Sequence, residues 1–500
     1  MTRLTTSVSP AVSIALDFAA VHAAWQRARR SKKPSTGQLA FERQWLQRVS
    51  ELSHTLVTGH WHPRRAVCFM VTRPKVREIH APDFSDRVVH HALVPKLEKY
   101  FEPRFIHDSY ANRRGKGLHK AVAQAQRFSR QILDGTGCGK GWYLQLDVRD
   151  FFYSIHRPTL YQQLKGVLQQ SLARNPEQQD HLLALQSFCH KLLYRPVRSV
   201  NLGSAQRCLI SPRKQLRYAS PGCGLPIGNL SSQFFANVYL DRLDQYAKHD
   251  LKIKRYIRYA DDLLLFSETP MHLLQWQRDI SDFLNCKLKL QIKPATAQPL
   301  ANGIDFLGYR IYPHHCTVRK RVVAHCREKL HDWQKKYVCS RNGFWFIQAF
   351  PSALAELQAM LGSYWAHFAH AASFNLIRSL RQSFPWLDVL FDATSAQHGS
   401  LRPRWRQTSA VGLQEWLQQL RTDYSDAWLA AECGCRVWLS APARHGGRLV
   451  RNLTPAQWQN QRRCLLADSQ PFLELREQGW LRHGARRRIV ATWHLQQGVT

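Results

Sequence analysis

The chain has 500 residues, and its 71 Lys and Arg residues outnumber its 35 Asp and Glu residues, which gives a formal charge of +36. Its hydrophobic fraction of 44% is that of an ordinary folded protein, and its length allows roughly three domains, which excludes a small disulfide-stapled scaffold. The basic excess favours a polyanionic partner, nucleic acid ahead of an anionic membrane surface. No apolar stretch is long enough to cross a membrane, and the 12 cysteines contain no CxxC pair, so we expect a cytoplasmic protein with reduced thiols and no zinc site.

The first predicted elements are amphipathic helices in residues 1–65, interrupted by the basic stretch RARRSKKPSTGQ. Residues 66–82 alternate basic residues with β-formers, which predicts a hairpin on which Arg73, Lys75 and Arg77 could share one face. A helix, DRVVHHALVPKLEKYF, follows. The stretch SYANRRGKGLHKAV then predicts a basic, glycine-bearing turn suited to approach by phosphate, leading into another helix.

The middle of the chain mixes strand and helix patterns. WYLQLDVRDFFYSI predicts a β-rich run, and helical sequence continues to about Tyr194. Residues 195–223 are irregular and basic, which predicts a long loop on the nucleic-acid side. GLPIGNLSSQFFANVYLDRLD predicts a turn that opens a helix, with Asn229 or Ser231 as the cap. KRYIRYADDLLLFSE predicts two strands joined by a tight turn at residues 260–262.

The last part of the chain begins with another predicted strand pair, GIDFLGYRIYP. Residues 319–385 are basic and predicted to be helical. A change of composition near DATSAQHGSLRPRWRQ indicates a linker into a last unit of about 100 residues. That unit has basic clusters and several tryptophans but no recognisable catalytic constellation, so we expect an accessory RNA-binding or assembly domain.

Two adjacent carboxylates, Asp261 and Asp262, lie at the predicted turn in RYADDLLLF. Alone, such a pair is more often a surface turn, because Asp tolerates turn geometry and bonds its own backbone. A third carboxylate, Asp147 in LQLDVRDFF, also ends a short apolar strand, so the three acids would converge if the two strands are neighbours. Three buried acids cannot all ionise without cations, and paired Mg²⁺ ions roughly 3.5 to 4 Å apart would compensate them.

The order of these motifs resembles that of the reverse transcriptases, right-handed polymerases with fingers, palm and thumb. RPKVREI with DRVVHHAL is similar to the family's first block, SYANRRGKG to the second, LDVRDFFYSI to the third, GLPIGNLSSQ to the fourth, YADD to the fifth and GIDFLGYRI to the seventh. In the sixth block, Lys289 or Lys293 would be the basic residue. The form LPIGNLSSQFFAN most resembles the diversity-generating retroelement enzymes and the defence-associated bacterial reverse transcriptases.

The resemblance implies an α+β right-hand polymerase in four segments. These are a helical N-terminal segment, the fingers and palm, the thumb and the accessory domain, in residues 1–65, 66–312, 313–392 and 393–500. In the thumb, LQAMLGSYWAHFAHA would follow the minor groove of an RNA/DNA hybrid. An aromatic stripe at helical spacing is, however, more often part of a core.

The resemblance also implies roles for the residues that match its motifs. Asp147, Asp261 and Asp262 would hold two Mg²⁺ ions, with Mn²⁺ as an alternative metal and the Val148 carbonyl as a further ligand. Phe152 matches the steric gate, whose aromatic ring excludes a 2′-hydroxyl and so selects dNTPs. The alternative is a core Phe, since Phe151, its neighbour on a strand, would point to the other face.

Further matches concern the nucleotide and the nucleic acid. Lys75 and Arg77 would contact the incoming triphosphate, where charge develops during transfer, unless they only form a solvated basic strand. Ile227 occupies the place of a glutamine in retroviral enzymes, which implies relaxed fidelity, especially opposite adenine, or a simple packing role. The residues expected to contact nucleic acid are Arg113, Arg114, Lys116 and Gln233.

The function implied is that of an RNA-directed DNA polymerase that makes cDNA from an RNA template and dNTPs. In a bacterial anti-phage defence system the template would be a dedicated noncoding RNA, and an accessory protein or a second copy of the chain would be a further partner. One alternative is error-prone cDNA synthesis in a diversity-generating retroelement. The other is an RNA-binding scaffold that kept the fold without catalysis.

Overall fold

The computed structural model describes residues 16–30, 34–72, 75–136, 140–194, 199–200, 210–341, 344–349, 351–391, 428–433, 436–442, 449–467, 472–475, 480–484 and 488–490. The chain divides into two compact units, residues 1–303 and 304–500. The finer division into four segments stays a prediction. Of the described helices, none is both long and apolar enough to span a membrane.

Three helices open the first unit, Phe18–Arg29, Thr36–Arg43 and Trp45–Val57. The first begins after Asp17, whose Oδ1 accepts a hydrogen bond from Ala20 N at 2.8 Å. The second begins after Ser35, whose hydroxyl accepts from Gln38 N at 3.2 Å. Short polar side chains at these positions satisfy amides that the helix itself leaves without partners. The predicted helical character of this segment is confirmed where it is described.

A β-hairpin follows, formed by β1 (Ala66–Val71) and β2 (Arg77–Ala81). The two strands are antiparallel, with Val71 opposite Arg77, and β4 (Ser199–Val200) pairs in parallel with β1. The predicted hairpin is therefore confirmed. Arg73 lies outside the described residues, and Lys75 lies before β2 begins, so of the three basic residues only Arg77 is on a described strand.

The central sheet of this unit has the strand order β5-β6-β3-β7. Its strands are β3 (Trp142–Asp147), β5 (Tyr256–Tyr259), β6 (Asp262–Ser267) and β7 (Gln298–Pro299). All neighbouring pairs are antiparallel. Helices cover both faces, which explains why Leu263, Leu264 and Leu265 are all fully buried although successive residues of a strand point to opposite sides.

The other helices of the first unit are Phe84–Phe101, Leu118–Thr136, Phe151–Ser154, Arg157–Arg174, Gln179–Tyr194, Leu230–Gln245 and Pro270–Leu288. Short 3₁₀ turns lie at Pro176–Gln178, Pro212–Lys214, Leu216–Tyr218 and Leu300–Asn302, and a π turn lies at Tyr246–Asp250. Asn229 occupies the N-cap position of the helix that begins at Leu230, as predicted, but its side chain makes no capping hydrogen bond. Ser231 is buried in the first turn instead.

The prediction of a continuous β-rich run from Trp142 to Ile155 is wrong in its second half. The strand ends at Asp147, and Phe151–Ser154 form a helical turn. Asp150 has φ 45°, in the left-handed region, which turns the chain out of the strand before this helix. The local preference of aromatic residues for strands is overridden here by the tertiary fold.

The second unit begins with a small antiparallel sheet of order β10-β9-β8. Its strands are β8 (Ile304–Phe306), β9 (Tyr309–Ile311) and β10 (Cys316–Val318), so the predicted strand pair in GIDFLGYRIYP is confirmed. Helices Lys320–Tyr337, Pro351–Phe368, Phe374–Ser383 and Leu387–Leu390 follow. Trp365 and Phe368 of the aromatic stripe are buried in the core of this unit, as the core alternative predicted.

The all-helical prediction for residues 319–385 is wrong at a hairpin rich in β-formers, β11 (Val338–Arg341) and β12 (Phe344–Gln348). The sheet continues with β17 (Trp480–Gly484) and β18 (Arg488–Val490), in the order β11-β12-β17-β18. Strands from the predicted thumb and accessory segments thus share one sheet.

A second sheet has the order β15-β14-β13-β16. Its members are β13 (Trp428–Cys433), β14 (Arg436–Ser440), β15 (Leu449–Leu453) and β16 (Phe472–Leu475), and helix Pro455–Ala467 lies between β15 and β16 in sequence. The predicted linker, residues 392–407, falls outside the described residues.

Candidate active site

Three carboxylates meet at one end of the central sheet. Asp147 is the last residue of β3 and is paired in register with Asp262, the first residue of β6. Asp262 is also paired with Tyr259 at the end of β5, which leaves Ala260 and Asp261 as a two-residue turn. The sequence-based expectation that the two strands are neighbours is confirmed.

The turn that presents Asp261 and Asp262 is held in an unusual conformation. Ala260 has φ 54°, a left-handed backbone that costs a residue with a side chain about 1 to 2 kcal/mol. The guanidinium of Arg258 donates a hydrogen bond to the Ala260 carbonyl at 3.3 Å. Arg258 is itself fully buried, and its charge is compensated by Asp244 at 2.7 Å. The ion pair of Arg258 and Asp244 therefore stabilises the turn through the hydrogen bond to Ala260.

Burial is the main cause of the raised pKa values of Asp261 and Asp262. The pKa of Asp262 is raised from 3.8 to about 7, chiefly by burial and also by the nearby charges of Asp261 and Asp147, whereas Lys75 and Lys293 act against the rise. The pKa of Asp261 is also raised, chiefly by burial. A cation bound among these groups would relieve the repulsion, and a cluster of carboxylate oxygens is the ligand type that Mg²⁺ and Mn²⁺ prefer. The ligand chemistry of the three acids suits a divalent metal ion, and their assignment as its ligands stays a prediction.

Lys293 forms an ion pair with one of the three acids. Its Nζ lies 2.5 Å from Asp147 Oδ2, and its backbone N donates to Asp147 O at 2.9 Å. Lys289, the other candidate for the sixth block, lies instead with its Nζ 3.5 Å from His156 Nε2. Of the two lysines that the sequence left open, the structure brings Lys293 to the acids.

Val148 follows Asp147 with its side chain buried. Its N–H donates to Asp261 O at 3.4 Å, and the next amide, Arg149 N, donates to Gln291 O at 2.7 Å. The backbone beyond Asp147 is thus fixed between the turn that carries Asp261 and the segment that carries Lys293. The assignment of the Val148 carbonyl as a metal ligand stays a prediction.

The basic residues of the first hairpin act on the same acids. The charge of Arg77 lowers the pKa of Asp261, and the charge of Lys75 lowers the pKa of Asp262, in both cases against a larger rise caused by burial. Both side chains are exposed. The structure therefore brings these two cations near the acids and leaves them accessible to a ligand.

Phe152 is half-buried, while Phe151 beside it is almost fully buried. The reason is not the alternation of a strand, as the sequence suggested, because both residues lie in the helical turn Phe151–Ser154. Leu225 N donates to Phe152 O at 2.7 Å, which ties this turn to the LPIG segment. The different burial of the two rings leaves Phe152 as the accessible one.

Ile227 of the LPIG segment is half-buried, and its carbonyl accepts a hydrogen bond from His80 N at 2.7 Å. Gly228 beside it has φ 119°, and a Cβ there would lie 3.0 Å from the His80 carbonyl oxygen. Glycine is required for this close approach. The turn is therefore docked onto β2, the strand that carries Arg77.

The sequence of residues 72–311 matches the family described as Reverse transcriptase (RNA-dependent DNA polymerase). Residues 72–311 are a reverse transcriptase domain. The resemblance drawn from the motifs is confirmed, and so is the α+β right-hand polymerase fold that it implied.

Two curated relatives and two solved structures show the range of similarity. Protein YkfC of Escherichia coli (strain K12) is 23% identical over 309 residues, which cover 54% of this chain and 71% of that protein. The group II intron-encoded protein LtrA of Lactococcus lactis subsp. cremoris is 23% identical over 211 residues, 42% of this chain and 29% of that protein.

Among solved structures, a telomerase from Candida albicans in complex with a fragment of telomeric RNA aligns with 75% of this chain and 64% of its own, at 11% identity and a TM-score of 0.37. Apo telomerase from Candida tropicalis aligns with 75% of this chain and 65% of its own, at 9% identity and a TM-score of 0.40. The chain thus spans under two thirds of each telomerase and under a third of LtrA.

The second sequence block of the reverse transcriptase domain contains three predicted nucleic-acid contacts in different settings. The Arg113 side chain is only 6% exposed, pairs with Glu102 at 2.8 Å and donates to the carbonyls of Ile106 and Ser109 at 2.6 and 2.9 Å, which favours a structural role. Arg114 is exposed, and Lys116 is half-buried with its Nζ 2.8 Å from His107 O. The fourth predicted contact, Gln233, belongs to the fourth block and is half-buried.

Arg258 supports the candidate site but was not identified from the sequence. The signal was present, because an arginine within the otherwise apolar strand YIRY must either face solvent or find a buried anion. Its partner Asp244 lies 14 positions earlier, on helix Leu230–Gln245, and no short motif joins the two residues.

Proposed function

We propose that this protein is an RNA-directed DNA polymerase that makes cDNA from an RNA template and dNTPs. The observation that carries the proposal is the convergence of Asp147, Asp261 and Asp262 at one end of the central sheet, within a reverse transcriptase domain. The formal charge of +36 supports a nucleic-acid partner, since phosphate neutralisation supplies most sequence-independent affinity for nucleic acid.

Each site residue then has a role in nucleotidyl transfer. Asp147, Asp261 and Asp262, with the Val148 carbonyl, would hold two Mg²⁺ ions, which when bound would activate the primer 3′-hydroxyl and stabilise the leaving pyrophosphate. The hydroxyl oxygen forms a bond to the α-phosphorus of the dNTP as the bond to pyrophosphate breaks, and the hydroxyl proton is released.

The nucleotide is positioned by residues on three sides. Lys75 and Arg77 bind the triphosphate, where their charges oppose the developing negative charge. Phe152 lies under the sugar and excludes a 2′-hydroxyl. Ile227 lies near the nascent base pair, where an apolar side chain removes a hydrogen-bonding contact and relaxes selection, especially opposite adenine.

Primer extension tests this assignment. The full chain is incubated with a poly(rA) template, an oligo(dT) primer, dTTP and Mg²⁺, beside Asp147→Asn and Asp262→Asn variants and an exposed control, Asp250→Asn. We expect incorporation by the wild type and the control, and a loss of at least 10³-fold in either active-site variant. Metal-dependent activity retained in Asp147→Asn or Asp262→Asn contradicts the metal assignment. A folded wild type that incorporates no dNTP on any supplied RNA supports the non-catalytic scaffold.

For the biological setting, we propose a bacterial anti-phage defence system that works in the cytoplasm on a dedicated noncoding RNA. What supports it is the extent of the second unit, which has two four-stranded sheets beyond the end of the family match at residue 311 and offers material for a further role. A diversity-generating retroelement is the alternative, supported by the LPIGNLSSQ form. An accessory protein or a second copy of the chain is a further proposed partner.

Sequencing the RNA and cDNA that copurify with the protein separates these settings. One dominant noncoding RNA with a matching cDNA is expected for defence. Copies of a repeat from a variable target gene, with substitutions concentrated at template adenines, would instead identify a diversity-generating retroelement.

A further inference from the structure

A compact group of three potential metal ligands lies on the first hairpin, among residues that the proposed polymerase chemistry does not use. Cys68 is on β1, and Glu78 and His80 are on β2. Cys68 is directly opposite His80 in the antiparallel register, and Glu78 is two positions from His80, so all three side chains lie on the same face. All three are buried, with 9%, 6% and 4% of their surfaces exposed.

The ligand atoms of this group have the spacing of a metal site. Cys68 Sγ lies 3.5 Å from Glu78 Oε1, and Glu78 Oε2 lies 3.4 Å from His80 Nε2. One ligand atom from each residue can be chosen so that all lie within 4.8 Å of one another. Ligands bound tetrahedrally at about 2.0 to 2.3 Å from zinc are separated by roughly 3.3 to 3.8 Å, so small side-chain adjustments suffice.

The imidazole of His80 lies against the Glu78 carboxylate and helps to lower its pKa. Within the described part of the chain, neither of its ring nitrogens forms a hydrogen bond of acceptable geometry, although Nε2 is near the Glu78 carboxylate. The second ring nitrogen, Nδ1, is buried without a hydrogen bond in the described residues, a state that costs about 1 to 3 kcal/mol. A cation coordinated by a ring nitrogen would supply the missing interaction.

Glu78 is oriented by a neighbouring segment. Leu216 N donates to its Oε2 at 2.7 Å, from the 3₁₀ turn Leu216–Tyr218. A backbone N–H that fixes a carboxylate ligand is a common outer-shell contact in metal sites. A metal at Glu78 would therefore join β1, β2 and this turn at one point.

We propose that Cys68, Glu78 and His80 bind one Zn²⁺ ion, with a fourth position filled by water. Thiolate and imidazole ligands favour zinc over Mg²⁺, so this site is chemically distinct from the three aspartates. Binding converts the Cys68 thiol to a thiolate, and its proton passes to the solvent. No sequence pattern indicated this site, and no zinc site was expected, because the spacing between Cys68 and Glu78 matches no zinc motif. The hairpin register brings the two residues together.

Metal analysis of the full chain tests the proposal. The protein is stripped with a chelator, reconstituted with Zn²⁺ and desalted, and its zinc content is measured by mass spectrometry. Co²⁺ is added to a second stripped sample, in which thiolate coordination gives a sulfur-to-cobalt charge-transfer absorption. We expect one zinc per chain and the absorption band in the wild type, and loss of both in Cys68→Ser and His80→Gln.

A matched control is Cys189→Ser, which removes another buried thiol, from helix Gln179–Tyr194. The control should keep the zinc and the band. Circular dichroism establishes whether each variant is folded. If Cys68→Ser is unfolded, the zinc content of His80→Gln and the cobalt spectrum of the wild type show whether these residues bind the metal. A wild type that retains no zinc, a cobalt complex without the band, or a folded His80→Gln that binds zinc as the wild type does would each overturn the proposal.

Discussion

Replacing Asp262 with Asn is expected to stabilise the metal-free protein while it abolishes polymerisation. Burial, and then the charges of Asp261 and Asp147, raise the pKa of Asp262 from its ordinary value of 3.8 to about 7. The folded protein therefore holds this proton more tightly than the unfolded chain does, and stability falls as the pH rises from about 4 to about 7. At about 1.4 kcal/mol per pKa unit, the raised pKa lowers the stability of the wild type by at most about 4 kcal/mol, and this loss is complete above pH 7.

The measurement is the free energy of unfolding in urea with EDTA present, at pH 5 and at pH 8, read by hydrogen exchange of peptides that span β3 and β6. Asp262→Asn should exceed the wild type by up to about 4 kcal/mol at pH 8 and by much less at pH 5. The exposed control Asp250→Asn should differ from the wild type by less than about 0.5 kcal/mol at both values. Saturating Mg²⁺ should stabilise the wild type more than the Asp262→Asn variant.

An Asp262→Asn variant that is no more stable than the wild type at pH 8 would show that burial does not raise the pKa of Asp262 in this way. A stability difference that is the same at both pH values would show the same, because a titrating carboxylate must produce a difference that grows with pH.

Three further predictions concern the nucleotide and the turn. Phe152→Ala should raise the kcat/KM for rNTPs relative to dNTPs by at least tenfold, and an unchanged ratio would favour a core role for this ring. Ile227→Gln should lower misincorporation opposite template adenine, whereas equal error rates in sequenced cDNA would leave packing as its role. Arg258→Met should destabilise the fold by about 3 to 5 kcal/mol, because it leaves Asp244 charged and buried. The double variant Arg258→Met, Asp244→Leu should recover stability in urea titrations. Its kcat should stay reduced, with little change in KM, because the turn has lost its hydrogen bond from Arg258. A full recovery of kcat would show that Arg258 does not position the turn.

Much of the first unit could be predicted, because its patterns are local. The alternation in residues 66–82 indicates a hairpin, and the apolar run after Asp262 indicates a buried strand. Asp147 lies beside the other two acids only because β3 pairs with β6. The order of the motifs suggested this pairing, and the fold establishes it.

The features that were missed depend on distant contacts. Phe151–Ser154 have the composition of a strand, but the left-handed Asp150 redirects the chain. Arg258 is interpretable only with Asp244, and Lys293 could be separated from Lys289 only by its distance to an aspartate. In each case local propensity was compatible with several structures, and tertiary packing selected one.

The hydrogen bond from His80 N to the Ile227 carbonyl bears on how this protein can change in evolution. It joins two main-chain groups, so no side-chain substitution removes it directly, and the close approach at Gly228 leaves little space for either segment to shift alone. Under the proposed roles, the strand of Arg77 governs affinity for the nucleotide and the turn of Ile227 governs accuracy. A substitution that moves one segment moves the other, so affinity and accuracy would be inherited as linked traits and would respond together to selection on either.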